Sequence, residues 1–281
     1  MIINLSWRNR LRTALIYGLL IALSVSFLFP VIWSISASLK SLDEVYEFPP
    51  SLWIKHPQWG NYPRAISRLP FLRFILNTLV LTFAATSGQL LTSAMVGYSF
   101  ARLKWLGRDI WFIILLATMM LPGQVLLIPH YLINYVLGWV GTYKPLIVPG
   151  WLGGGAFFIF LFRQFFRAIP KSLEDSARLD GASDWRIFWG IMLPLSKPVI
   201  VTVLLFSFIG HWKEFMAPLI YLSDFTSYPI SLGLRMYQAL EGSWANYLMA
   251  ASLVALMPLV ILFFVGQRFF IKGIMLTGIK G

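Results

Sequence analysis

Long runs without a charged side chain constrain this sequence more than any other feature. Ala14–Leu39 carries none, and neither does Ile110–Tyr143. A helix that crosses a bilayer needs about 20 mostly apolar residues, because no water is present to satisfy the backbone of any other shape. Ala14–Leu39 meets that length. A cleaved signal peptide is the alternative, since Ser34–Ser38 is rich in small residues, but the apolar region of a signal peptide runs only about 7–15 residues. The stretch therefore reads as a retained first span. Ile110–Tyr143 is too long for one plain helix and is broken by Pro122, Gly123 and Pro129. We expect a third span to about Leu121, then a loop or half-helix at the far surface.

The remaining apolar segments complete the count. Phe71–Phe100 predicts a second span and Pro145–Phe162 a fourth, whose Gly150, Gly153, Gly154 and Gly155 permit close helix approach. Pro198–Tyr221 predicts a fifth and Asn246–Gln267 a sixth. The composition agrees: 58% of residues are hydrophobic and 12% charged, where soluble domains run about 25% charged. The expected fold is all-α, a polytopic membrane protein with six transmembrane helices. Its divisions are 1–70 (N-terminal segment, first span, external loop), 71–267 (a five-helix core with a charged loop at 163–197) and 268–281 (tail). With no cysteine, neither a disulfide nor thiolate chemistry is available.

Charge placement sets the topology. Of 23 Lys and Arg residues, 15 fall in Met1–Thr13, Ala101–Asp109, Arg163–Lys197 and Arg268–Gly281, and eight in the alternate loops. Cytoplasmic loops hold the excess of Lys and Arg, so both termini and the 163–197 loop are expected in the cytoplasm. The net charge of +12 is thus read as loop retention, with no nucleic acid as partner. Trp53, Trp59, Tyr62, Trp139 and Tyr143 read as residues of the interfacial aromatic belt.

Ser172–Pro198 is the most charged stretch. Ser172 with Asp175 three residues on predicts a capped helix start, and Glu174 and Asp175 suit its positive end. Arg178 can meet either carboxylate on one face. Gly181 provides the left-handed residue of a helix end. Ser183 can cap a second short helix, which should stop near Leu193 because Pro194 disfavours a helical residue before it. That helix carries Trp185, Ile187, Phe188 and Trp189, four large apolar side chains that must pack on this protein or on a partner.

These residues resemble the cytoplasmic coupling motif of binding-protein-dependent ABC importers: Glu-Ala-Ala, a few residues, Gly, a spacer, then Ile-x-Leu-Pro. The matches are Ala177, Asp180, Gly181, Ala182, Ile191, Leu193 and Pro194. Asp175 stands where the family usually has Glu, keeping the carboxylate with one methylene less reach. Ser176 stands for Ala and is small enough for the same contact. Asn77-Thr78-Leu79, Gly97–Arg102, Pro122–Pro129, Phe162–Phe166, Trp212–Phe215 and the tail Gly273–Gly281 also look like the sugar-transporting branch, so the similarity covers nearly the whole chain. It implies the transmembrane domain of a type I ABC importer in a bacterial inner membrane. It also implies the partners: an ATP-binding cassette ATPase dimer, a second, different permease subunit, an extracytoplasmic solute-binding protein and a carbohydrate substrate. ATP and Mg would be bound by the ATPase; this chain has no Gly-x-x-x-x-Gly-Lys-[Ser/Thr] loop and is expected to hold no cofactor and to be no enzyme itself. A permease for a polyol or glycerol phosphodiester is the alternative within the class. Outside it stands a stand-alone secondary transporter or channel.

The candidate site residues form two groups. Glu174, Asp175, Ser176, Ala177, Asp180, Gly181, Ala182 and Trp185 are assigned to ATPase coupling. Gln124, Trp212, Lys213 and Glu214 are assigned to the solute path, because charges within a span usually face a bundle interior or water. The alternative is that Lys213 snorkels to the interface and Glu214 pairs within the bundle, and that Gln124 caps a frayed helix end. His56, His130 and His211 are scattered, and no metal is expected. The tail residues Thr277–Gly281 are expected to touch the ATPase.

Overall fold

The computed structural model describes residues 7–239 and 244–278, with side chains over 9–238 and 244–267. The expected contact of Thr277–Gly281 lies outside the described side chains. The chain divides into two units by its internal contacts: residues up to Leu69 with Leu234–Ala255, and Pro70–Gly233 with the residues from Leu256 on.

In the first unit, the long α1 (Trp7–Ser38) leads into α2 (Leu42–Val45) and α3 (Asn61–Arg68). Most of α1 is exposed, as a lipid-facing apolar helix would be. Its C-terminal end, and α3 beside it, are tied down by polar groups. Asn61 Nδ2 donates to the carbonyls of Ser38 (2.9 Å) and Lys40 (2.8 Å), and the Tyr237 hydroxyl donates to Ala65 O (2.5 Å). A helix end leaves its last carbonyls without partners, and Asn61 supplies one for that of Ser38, the last residue of α1, and another for Lys40 just beyond it.

The second unit is built on α4 (Phe71–Arg102), followed by α5 (Arg108–Thr118), α6 (Leu127–Val136), α7 (Lys144–Trp151), α8 (Ala156–Ala168), α9 (Ser172–Leu179), α10 (Asp184–Ile187), α11 (Leu193–Leu195), α12 (Lys197–Trp212) and α13 (Met216–Tyr221). Two further helices, α14 (Ile230–Ala239) and α15 (Ala245–Gly278), span the division between the units. Helix α4 packs on α7, α8 and α12. Its C-terminal half enters an aromatic core in which Tyr98 meets Phe166 edge-on at 5.9 Å and lies tilted against Phe188 at 5.3 Å, while Phe162 stacks on Phe166.

Among the described residues four helices are long and apolar enough to cross a membrane: Asn9–Ser38, Phe71–Arg102, Lys144–Ala168 and Ala245–Gln267. A fifth arises if Asp184–Leu195 and Lys197–Trp212, bent at 79°, count as one. Length and composition of the described residues do not confirm the expected count of six. The third expected span is α5, only 11 residues long and thus about 16 Å, after which the Pro122-Gly123 turn and α6 follow. Two other expected spans are interrupted. The fourth breaks between α7 and α8 at the glycine run. The fifth breaks at Lys213–Phe215, between α12 and α13.

Pro194 does not end its helix. The chain passes from α10 through a wide π turn at Phe188–Met192 into α11, with Pro194 inside it, and bends only before Lys197. A proline ring clashes with the carbonyl four residues earlier, and the wider turn moves that carbonyl aside.

Candidate functional site: a coupling hairpin and a cleft

The hairpin α9–α10 turns on Gly181, whose φ is +79°, a conformation that side chains with a Cβ resist. Ser183 caps α10, its hydroxyl accepting from the Arg186 amide. Ser172 does not cap α9. The N-cap position is Lys171, in the αR conformation and with no side-chain cap. A capping side chain needs an extended backbone to fold over the first amides, and Pro170 places that extended residue at Ile169, two positions too early.

The carboxylates separate. Glu174 is buried and Asp175 exposed. Arg102, the last residue of α4, stands with Nε 3.1 Å from Glu174 Oε1, close enough for charge attraction though not aligned as a hydrogen bond. Its guanidinium also donates to the carbonyls of Phe166 (2.5 Å) and Ile169 at the end of α8, where a cation suits the negative helix end. One side chain thus fastens α9 to α4 and α8. Burial pushes the Glu174 carboxyl above its ordinary pKa, opposed by Arg102 and then Arg178. Arg178 pairs with Asp184 across the turn, not with Glu174 or Asp175 as its spacing suggested.

The four apolar side chains also divide. Ile187 and Phe188 are 0% and 2% exposed, inside the protein's own core, whereas Trp185 and Trp189 remain 59% and 40% exposed and meet edge-on at 5.6 Å. Leu179, 90% exposed, adds to the outer face together with Leu173. Of the residues assigned to coupling, Asp175, Ser176, Asp180, Gly181 and Trp185 are exposed, Ala182 is half-buried, and Glu174 and Ala177 face inwards. Leu179, on this exposed face, was not singled out from the sequence, where it is a lone leucine two residues before the turn glycine.

The second feature is a partly open cleft of about 380 Å³ lined by α4, α7, α12 and α13, with Gln89, His211, Glu214 and Gly153–Gly155 in its wall. Helices α7 and α4 approach closely here. A Cβ on Gly150 of α7 would stand 2.9 Å from Ala85 O, and one on Gly154, in the break after α7, 2.0 Å from Ser93 Oγ. Of the four residues assigned to the solute path, only Glu214 lines this cleft. Gln124 lies exposed in the turn before α6. Trp212 is buried, stacked on Phe208 at 5.5 Å. Lys213 is exposed at the C-cap of α12, where a cation suits the helix dipole. Glu214 Oε1 accepts the Ala217 amide at 3.1 Å, satisfying one of the free amides that open α13. The two charges therefore stand at a helix break and not within a continuous span. Gln89 and His211 were missed as cleft residues, because a neutral amide and one histidine in an apolar run carry no spacing signal.

Comparison with known proteins agrees with this geometry. Residues 89–275 match the family described as binding-protein-dependent transport system inner membrane component. The arabinooligosaccharides transport system permease protein AraQ of Bacillus subtilis is 31% identical over 92% of this chain and 92% of its own. The diacetylchitobiose uptake system permease protein NgcG of Streptomyces coelicolor is 29% identical over 92% and 86%. The sn-glycerol-3-phosphate transport system permease protein UgpE of Yersinia pestis is 31% identical over 88% and 90%. In fold, the chain resembles a chain of a bacterial ABC transporter that imports the acidic polysaccharide alginate, with a TM-score of 0.84 at 23% identity, covering 95% of this chain and 99% of that one. The chain belongs to the inner membrane components of binding-protein-dependent transport systems, the permeases of ABC importers.

Proposed function

We propose that this chain is one of two different permease subunits in an ATP-driven importer of a carbohydrate, working by alternating access. The observation that carries the coupling is the outer face of the α9–α10 hairpin: Leu179, Trp185 and Trp189 stand exposed while Ile187 and Phe188 of the same segment are buried. A loop held rigidly from inside, with an apolar face left over, suits a partner protein in the aqueous phase. The partner is an ATPase dimer on the cytoplasmic side, where the Lys and Arg excess also puts both termini. Closure of the ATPase around ATP and Mg moves the hairpin. The Arg102 contact passes that movement to α4 and α8, and solute handed over by an external binding protein crosses inward. The exposed Asp175 carboxylate is placed to meet a cation of the ATPase.

The relatives named for arabinooligosaccharides and diacetylchitobiose support carbohydrate. A polar phosphorylated solute is the second reading, supported by the glycerol-3-phosphate relative. Purification of the tagged chain with an ATP-hydrolysing partner, followed by a screen of solutes for stimulation of that hydrolysis with the binding protein present, tests the assignment. Transport by the chain alone, with no ATPase, would favour a secondary transporter or channel instead.

A further inference from the structure

The cleft contains one polar group that is fixed in orientation yet left open. Ser207 Oγ donates to Gln89 Oε1 at 2.6 Å, and His211 Nε2 stands 3.2 Å from the same oxygen. Ser207 and His211 are four residues apart on α12 and so share a face. An amide oxygen only accepts, so the contact is a hydrogen bond in the His211 tautomer with its proton on Nε2. Two donors on one oxygen hold the amide in one orientation and turn its N–H donors away, toward Gly155. A Cβ there would lie 3.2 Å from Gln89 Nε2; glycine leaves that approach open. Across the same cleft Glu214 offers a carboxylate with acceptor capacity beyond its bond to Ala217.

We infer that this chain itself carries a subsite for the hydroxyl groups of an uncharged carbohydrate, with the Gln89 amide as positioned donor and Glu214 as acceptor. The inference rests on the importer reading above and deepens it. A sugar hydroxyl both donates and accepts, and a fixed donor with a carboxylate acceptor in one cleft suits it. The prolines of α7 and α13 supply apolar surface for the C–H faces of a ring. A phosphorylated solute fits poorly. Phosphate recognition calls for Arg or Lys, none of the lining residues is either, and Glu214 would repel the anion.

The test uses the complete complex, with its ATPase, second permease and binding protein, in liposomes. The probes are neutral di- and trisaccharides of pentoses and hexoses, and glycerol 3-phosphate. The subsite requires ATP-driven uptake of at least one neutral sugar in preference to glycerol 3-phosphate. Gln89→Glu keeps an oxygen for Ser207 and His211 but replaces the donor by an acceptor, and raises the KM for that sugar roughly tenfold, the value of one lost hydrogen bond. Glu214→Gln retains the acceptor for Ala217 and raises KM severalfold. Co-purification of the ATPase shows that a variant is assembled, and Glu214, at the surface, supplies the measurement if Gln89→Glu does not assemble. Wild-type KM in the assembled variants, or preference for glycerol 3-phosphate, overturns the subsite and leaves the importer standing. Absence of ATP-driven uptake of every probe by the wild-type complex overturns the carbohydrate reading and the subsite with it, and leaves the family assignment standing.

Discussion

The hairpin and the cleft are held together by opposite means. At the hairpin, a buried charge pair and two backbone carbonyls converge on Arg102, and an aromatic core grips Ile187 and Phe188. At the cleft, the wall is made of glycines in close approach, prolines and one neutral amide network. The first arrangement resists displacement, since moving α9 alone would separate buried charges. The second has broken helices on two sides, at Leu152–Gly155 and Lys213–Phe215, which can change angle without breaking a charge pair. The segment proposed to transmit force and the wall proposed to open and close are therefore built from different chemistry within one unit.

Removing the charge anchor tests the contrast most severely. Arg102→Ala leaves Glu174 buried without its cation and two carbonyls without a donor. One-sided loss of a buried pair costs about 3–5 kcal/mol, and the expected outcome is loss of ATPase co-purification while the chain still inserts. Arg102→Lys rescues only in part, because an ammonium lacks the fork that reaches several acceptors at once. Retention of the ATPase by the Ala variant would show that α9 is held mainly by its apolar side. The cleft counterpart is Gly154→Ala. Its methyl would meet Ser93 Oγ and its backbone would be strained at φ +74°, an overpacking cost of about 1–3 kcal/mol. It should lower transport while leaving the ATPase bound; an equal loss of both would deny the separation of the two regions. Gly181→Val comes next. Nothing lies near a Cβ there, so the cost is the left-handed backbone alone, about 1–2 kcal/mol. The variant should assemble but show ATP hydrolysis that no longer responds to solute, and an undiminished response would count against the hairpin's role.

The sequence made the hairpin far more legible than the cleft. Charges, a turn glycine and a spaced motif mark Ser172–Pro198, and the positions of Gly181 and Ser183 followed directly. The inward turn of Glu174 was not legible, because its partner Arg102 lies 72 residues away and the nearby Arg178 offered a local match. The helix breaks at the glycine run and at Lys213 were hidden by apolar composition, which reports burial in lipid but not continuity. Pro194 misled because a wide turn can accommodate a proline that an ordinary helix would expel.

Adjacent carboxylates give the finest test. Asp175 is exposed, its carboxylate makes no hydrogen bond or ion pair among the described residues, and it does not cap α9. Asp175→Asn should therefore leave the thermal stability of the chain unchanged within about 0.5 kcal/mol, so that any loss of ATPase binding belongs to the partner. Glu174 behaves differently. Its carboxyl is held above the ordinary value, chiefly by burial, so the folded chain binds that proton more tightly than the unfolded one. The stability this contributes is fully present below the unfolded pKa and is lost as pH rises through the higher folded value. Glu174→Gln removes the titrating proton and keeps the shape. Thermal unfolding followed across the mildly acidic range should show wild type losing stability relative to Glu174→Gln as pH rises, with Asp175→Asn tracking wild type. Parallel curves for Glu174→Gln and wild type would mean that Arg102 compensates the burial of Glu174 fully, and that the hairpin is anchored by an ion pair indifferent to pH.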